Sequence, residues 1–288
     1  MSRRTAYQLP SFIGAGPART GTTWIHEVLQ PFAGLPRGLK ETDFFSTNYD
    51  LGLDWYASHF AGYPPGTALG EITPTYFDHP EAPQRIAELV PRCRIIVSLR
   101  EPVARLYSHY RLLRGEGWIA RESFEEALRR HEKWVDRAGN MIGVNRYAEH
   151  LTRWFDVFGR DQVLVVWFDD LSAAPQQFID QITGFIGLKR IDLSGTRFLD
   201  SKINPRERAP RHPHLAARAR RLRDRLERRR SYRTLRALAP FFAGCAGRGE
   251  VFPPLRAETA RMLRRRFRPE VEALETLLGR DLSAWKRD

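Results

Sequence analysis

The sequence is poor in cysteine, in lysine and in long apolar runs. Cys93 and Cys245 are its only cysteines, too few for a disulfide framework and without metal-ligand spacing, so a reducing compartment is expected. No apolar run approaches the roughly 20 residues of a membrane-crossing helix, and the amino-terminal MSRRTAYQLPSFIGAG is basic but not apolar enough for a secretory signal. A cytoplasmic protein with no membrane span follows as the expectation. Gly/Ser linkers and internal repeats are missing too. One domain over residues 1–288 is therefore expected, with an Arg-rich helical insertion at about 210–240.

Lysine occurs only at positions 40, 133, 189, 202 and 286, so the formal net charge of +13 is carried almost wholly by arginine. Such an excess implies anionic partners: nucleotide, nucleic acid, sulfated or phosphorylated sugar, or membrane surface. Charge does not choose among them, and a compositional arginine bias accounts equally well for many surface positions. With 42% hydrophobic residues in 288, the chain can bury a sizeable core.

Apolar runs alternate with helical periodicity. SFIGA (11–15) reads as a buried strand, and Trp24, Ile25, Val28 and Leu29 keep helical spacing up to Pro31, with Thr22 and Thr23 as capping residues. RIAELV (85–90) reads as a helix ended by Pro91. CRIIVSLR (93–100) reads as a buried strand ending in Arg100, and VARLYSHYRLL (103–113) as the helix after it. Residues 144–159 are amphipathic, QVLVVWFDDL (162–171) is a third strand leading into a turn, and 175–188 is a helix closed by Gly187. The segment from Leu215 to Leu238 is helical and densely basic, and a last helix is interrupted at Pro269. Alternation of this kind predicts an α/β fold, a central parallel sheet flanked by helices, with ligands beyond the carboxyl ends of the strands.

One such end carries GPARTGTTW (16–24). A glycine-bounded, hydroxyl-rich loop between a strand and a helix offers backbone amides and a helix amino terminus to a phosphate. The P-loop of nucleotide triphosphatases needs a lysine right after its second glycine. Thr22 stands there, and the loop's cation is Arg19, whose guanidinium can meet a phosphate and a neighbouring leaving group.

The stretch Pro17 to Trp24 resembles the 5′-phosphosulfate loop of sulfotransferases that use 3′-phosphoadenosine 5′-phosphosulfate (PAPS): proline, any residue, a basic residue, a hydroxyl residue, Gly-Thr-Thr, then tryptophan. That family grips the donor's 3′-phosphate with a strand-end arginine and a serine eight positions on, and REPVARLYS supplies Arg100 and Ser108 at that spacing, with Pro102 and Arg105 between them. The resemblance implies a P-loop-like nucleotide-binding architecture with PAPS as co-substrate and no metal. It implies donor binding by Arg19, Thr20, Gly21, Thr22, Thr23, Trp24, Arg100 and Ser108. Trp24 would stack on adenine as in cytosolic relatives, or else be a core residue.

Between the motifs, GLKETDFFSTNYDLGLDWYASHF (38–60) is similar to the segment of heparan-type carbohydrate sulfotransferases in which a Lys-Glu pair precedes two phenylalanines and a Gly-x-x-Trp-Tyr follows. The match falls on Lys40, Glu41, Phe44, Phe45, Gly52, Trp55 and Tyr56. It gives Glu41 the general-base role, which the chemistry requires of some group, since an attacking hydroxyl or amine must lose a proton. An ion pair of Glu41 with Lys40 or a nearby arginine is the plainer alternative, and Asp43, where some relatives carry histidine, is the reserve base. His26, His59 and His109 receive no role.

GEITPTYF (70–77) resembles the family's Glu-Lys-x-Pro-x-Tyr-Phe, with Ile72 replacing the lysine, a departure that weakens any inference to a sulfated polysaccharide. CAGRGEVFPPL (245–255) resembles the late 3′-phosphate loop and makes Arg248 a candidate. Together these imply in-line sulfuryl transfer to a hydroxyl or amine of a small-molecule or glycan acceptor. A P-loop-type kinase or hydrolase stays open as an alternative. So does an anionic-polymer binding protein using the basic helix, although Tyr232 alone interleaves its charges, which speaks against specific nucleic-acid readout.

Overall fold

A computed structural model of the chain describes residues 7–131, 141–199, 208–228, 232–245 and 249–287. The chain divides into two compact units, Met1–Arg100 with Glu149–Ile203 and Glu101–Ala148 with Asn204–Asp288.

The first unit is built on a four-stranded, all-parallel sheet of order β2-β1-β3-β4. Its strands are β1 (Phe12–Gly14), β2 (Gly70–Ile72), β3 (Arg94–Leu99) and β4 (Val163–Trp167). Helices α1 (Thr22–Leu29), α2 (Gly52–Ser58), α3 (Ala82–Leu89), α7 (Phe168–Ala173) and α8 (Pro175–Ile186) belong to this unit, as does nearly all of α6 (Tyr147–Phe158). The expected α/β fold with a helix-flanked parallel sheet is thus the observed one.

Burial explains why these runs are strands. Phe12, Ile72, Ile96 and Val166 come together with Ile25, Val28 and Leu29 of α1 and Ile179, Ile182 and Ile186 of α8 in one core. A parallel strand covered on both faces must be apolar nearly throughout. β1 lies between β2 and β3, so the chain leaves it first to one side and then to the other. The carboxyl ends of β1 and β3 therefore flank the topological switch point, where open α/β sheets open a crevice for ligands.

Several local expectations need correction. Gly21, not a threonine hydroxyl, stands at the amino terminus of α1, and no side chain caps it. β4 runs into helix α7 rather than a turn, because Asp169 and Asp170 sit in that helix's first turn, where acidic residues suit the dipole. β2 had no expected strand at all. Gly187 does close α8, in the left-handed conformation.

The second unit is helical: α4 (Pro102–Gly115), α5 (Phe124–His131), α9 (Pro213–Arg228), α10 (Tyr232–Cys245), α11 (Ala257–Leu278) and α12 (Ser283–Lys286). Val103, Leu106 and Tyr110 of α4 pack with Ala260, Leu263 and Phe267 of α11. The basic segment is two helices rather than one. α11 runs unbroken through Pro269: the proline is exposed, and the buried seam of Leu263, Phe267, Val271 and Leu274 continues on both sides of it. Among the described residues no helix is long and apolar enough to cross a membrane.

Candidate functional site

The loop after β1 is held from below by β3. Thr20, fully buried, donates its hydroxyl to the Pro17 carbonyl at 2.7 Å and meets Ser98 Oγ of β3 at 2.6 Å. Gly16 makes that approach possible, since a Cβ there would lie 2.5 Å from the Ser98 amide nitrogen and 2.4 Å from its hydroxyl. Gly21 turns the chain into α1 with φ at 96°, a conformation that side chains other than glycine's resist. Arg19 also adopts a positive φ, 78°. The Thr20 hydroxyl is thus spent inside the loop, tying it to β3.

Two further cations reach the loop. Arg100, at the carboxyl end of β3, donates from Nη1 to the Arg19 carbonyl at 3.3 Å, with its guanidinium carbon 4.2 Å above the Phe168 ring. Lys40 donates from Nζ to Thr23 Oγ1 at 3.0 Å and to Glu41 Oε1 at 2.8 Å. The candidate base and the amino-terminal turn of α1 therefore share one ammonium. The ion pair considered for Glu41 exists, and both its members are about one-third exposed, 36% for Lys40 and 34% for Glu41.

Trp24 lies in the core. It is 5% exposed, its indole N–H donates to the Phe198 carbonyl at 3.3 Å, and Phe178 and Phe198 meet it edge to face at 5.7 and 6.1 Å. These are the contacts of the core tryptophan weighed as the alternative. His26, two residues further along α1, is 8% exposed. Burial, and secondarily the charge of Lys40, hold its pKa down to about 4.

Ser108 lies on α4 in the second unit, buried. Arg105 on the same helix is buried too and donates to Asn145 Oδ1 at 2.5 Å and to the Met141 carbonyl at 2.8 Å, which makes it a structural member of that unit. Arg248 lies outside the described residues. Asp43 sits at a left-handed turn with φ at 49° and accepts from the Thr75 hydroxyl at 2.6 Å.

Sequence reasoning missed the residue that organises this region, Glu71, which occupies the middle of β2 and is completely buried. Its carboxyl meets the hydroxyls of Thr42 (2.5 Å), Tyr56 (2.7 Å), Thr73 (2.9 Å) and Tyr76 (3.1 Å). Burial pushes its pKa above the usual carboxylate range, against the hydroxyls, which favour the charged form. Its neighbour Ile72, standing where the heparan-type motif has lysine, is fully buried in the sheet core.

A parallel sheet whose switch point carries a glycine-shaped loop that contains Arg19 and is hydrogen-bonded by Lys40 and Arg100, with the Glu41 carboxylate on the same ammonium, defines an α/β protein with a cationic loop at its strand ends. Residues 9–211 match the sulfotransferase domain family, and the chain belongs to that family of enzymes. It is 30% identical over 195 residues to bifunctional heparan sulfate N-deacetylase/N-sulfotransferase 1 of Caenorhabditis elegans, covering 64% of this chain and 23% of that protein. It is 32% identical over 185 residues to human heparan sulfate glucosamine 3-O-sulfotransferase 3B1, covering 64% of this chain and 47% of that protein. The chain thus spans under half the length of these relatives. The crystal structure of a sulfotransferase from Alicyclobacillus acidocaldarius superposes with a TM-score of 0.70 at 24% identity, over 97% of this chain and all of that one, which shows the shared fold.

Proposed function

We propose that the chain transfers a sulfuryl group from PAPS to a hydroxyl or amine of a small-molecule or glycan acceptor. The observation that carries this reading is the position of Lys40, which joins Glu41 to Thr23 of the phosphate loop. It puts a proton acceptor and an anion cradle in one hydrogen-bonded cluster.

The residues suit the donor. Arg19, the amides of Thr20 to Thr23 and the amino terminus of α1 are donors without a competing acid among them, as a 5′-phosphosulfate needs. Arg100 reaches the same loop from β3 and takes the 3′-phosphate. The resemblance adds Ser108 and Arg248 to that group, while the structural support lies wholly within the first unit. The donor, when bound, supplies the activated sulfuryl group, and no step calls for a metal.

Glu41 accepts the acceptor's proton, and Lys40 holds the carboxylate toward the loop. Arg19, the loop amides and the hydroxyls of Thr22 and Thr23 stabilise the negative charge that builds on the leaving phosphate oxygen. Fixed donors of this kind count for more than solvent because they need no reorganisation.

Thermal shift with 3′-phosphoadenosine 5′-phosphate (PAP), ADP and AMP tests the reading. PAP at a hundredfold excess over its Kd is expected to add about 2.7 kcal/mol of stability, with ADP and AMP well below it. Transfer from PAPS should then fall steeply in Arg19→Ala and Glu41→Ala. Tight binding of ATP with magnesium together with indifference to PAP overturns the reading in favour of a kinase or hydrolase.

A further inference from the structure

The segment that carries Glu41 is tied to the sheet by side chains. The Phe44 amide donates to Thr42 Oγ1 at 3.2 Å and the Phe45 amide to Tyr76 Oη at 3.3 Å. Thr42 and Tyr76 are themselves 2.9 Å apart, and both meet the carboxyl of Glu71, in the centre of β2. Asn48 adds a bond from its Nδ2 to the Thr42 carbonyl at 2.8 Å, and Ser46 Oγ meets Thr75 Oγ1 at 2.9 Å. Residues 42–48 and 71–76 are thereby laced together around one buried acid.

The protons of this cluster can be counted. Glu71, Thr42 and Tyr76 form a closed ring of three contacts, and the two hydroxyls bring only two protons to it. A third proton, on the carboxyl, gives every contact its own donor. Burial of Glu71 favours that neutral form. A ring of this kind is rigid because each member is both donor and acceptor.

We propose that Glu71 is the positioning residue for Glu41. Through Thr42 and Tyr76 it fixes the backbone that follows Glu41, and it does so from inside the sheet, without touching donor or acceptor. The inference rests on the general-base reading of Glu41 for its consequence, though not for its geometry. Lys40 sets where the Glu41 carboxylate points, while Glu71 sets where its backbone stands. Displacing a reacting group by about 1 Å can lower a rate about a hundredfold, so a loosened clamp should act on turnover rather than on donor affinity.

Thr42→Val and Tyr76→Phe remove the acceptors of the Phe44 and Phe45 amides while keeping side-chain shape. Tyr56→Phe removes a hydroxyl from the same carboxyl but no bond to residues 42–45, and it keeps the ring stacked on Phe44 at 4.3 Å. Glu71→Gln copies the neutral acid, with its amide donating where the carboxyl proton would. Glu71→Leu removes the hub and serves if it folds. Each protein is measured for amide exchange at Phe44 and Phe45, for PAP-induced thermal shift, and for PAP release from PAPS with para-nitrophenol or glucosamine as probe acceptor.

The expected result is faster exchange at both amides and at least about tenfold lower turnover in Thr42→Val and Tyr76→Phe, with the PAP shift unchanged. Tyr56→Phe and Glu71→Gln should stay within about twofold of the native protein on all measures. Native exchange at Phe44 and Phe45 in Thr42→Val and Tyr76→Phe overturns the proposal. So does a Tyr56→Phe variant that loses as much turnover as they do, because the effect is then general loss of core packing. If instead Glu41→Gln keeps its turnover, the base assignment fails, and the exchange rates alone still decide whether Glu71 holds this segment.

Discussion

Lys40 and Thr23 are joined by a 3.0 Å hydrogen bond across 17 residues of chain, and the same ammonium lies 2.8 Å from Glu41. Both members of that ion pair are partly exposed, so the pair itself adds at most about 1 kcal/mol to stability. Its worth lies in placement. Lys40→Met is expected to leave the thermal midpoint nearly unchanged while lowering PAPS turnover by about tenfold or more. A parallel loss of stability and turnover would show that Lys40 acts through folding instead.

The Thr20–Ser98 contact makes a different prediction. Thr20→Val leaves the Ser98 hydroxyl and the Pro17 carbonyl without their buried partner, which costs about 1–3 kcal/mol. Gly16→Ala pushes a methyl group into the Ser98 amide and hydroxyl, and overpacking of this sort costs about 1–3 kcal/mol as well. Both changes lift the loop away from β3. Urea unfolding should report the lost stability, and PAP titration a weakened affinity, whereas Thr20→Ser retains both.

Arg100 should separate two kinds of ligand. It reaches the Arg19 carbonyl, so its removal disturbs the loop slightly for any nucleotide. If it also takes the 3′-phosphate, Arg100→Ala reduces the stabilisation by PAP to that given by AMP, while AMP itself changes little. A charge-assisted phosphate contact of this kind is worth about 1.5–3 kcal/mol. Equal losses for PAP and AMP would place Arg100 with the loop alone.

The parts of this site that could be read in the sequence are those that leave a local trace. GPARTGTTW shows its glycines, hydroxyls and arginine at fixed spacing, and Arg100 stands at the end of an apolar run. β2 left no such trace, because it is three residues long and Glu71 interrupts its apolar character. The match of GEITPTYF to the family's Glu-Lys-x-Pro-x-Tyr-Phe marked an acid at position 71, but an acid in the sequence reads as solvent-exposed unless its partners are known. Those partners, Thr42, Tyr56, Thr73 and Tyr76, arrive from separate turns and helices with no common period. Pro269 misled in the opposite way, as a local helix-breaking signal that tertiary packing of Leu263, Phe267 and Val271 overrides. Trp24 shows that a residue of a recognisable loop motif can belong to the core.

His26 supplies a pH prediction with a definite sign. Its pKa is lowered to about 4 by burial and by the Lys40 charge, against about 6.5 in an unfolded chain. Above pH 6.5 the ring is neutral in both states and its burial carries no protonation penalty. As the pH falls from 6.5 toward 4 the unfolded chain takes up a proton that the folded one refuses. Stability is lost over that window, by up to about 3 kcal/mol from this residue. His59 and His79, also lowered chiefly by burial, add losses of the same sign. Urea midpoints measured from pH 7.5 to 4 should fall steadily in the native protein and less steeply in His26→Gln. Because Lys40 contributes to the shift, Lys40→Met should move the His26 pKa upward and soften the same acid limb. A midpoint that holds constant between pH 6.5 and 4.5 would mean that His26 takes up its proton in the folded state, and that α1 has room for a charged ring beside the loop that precedes it.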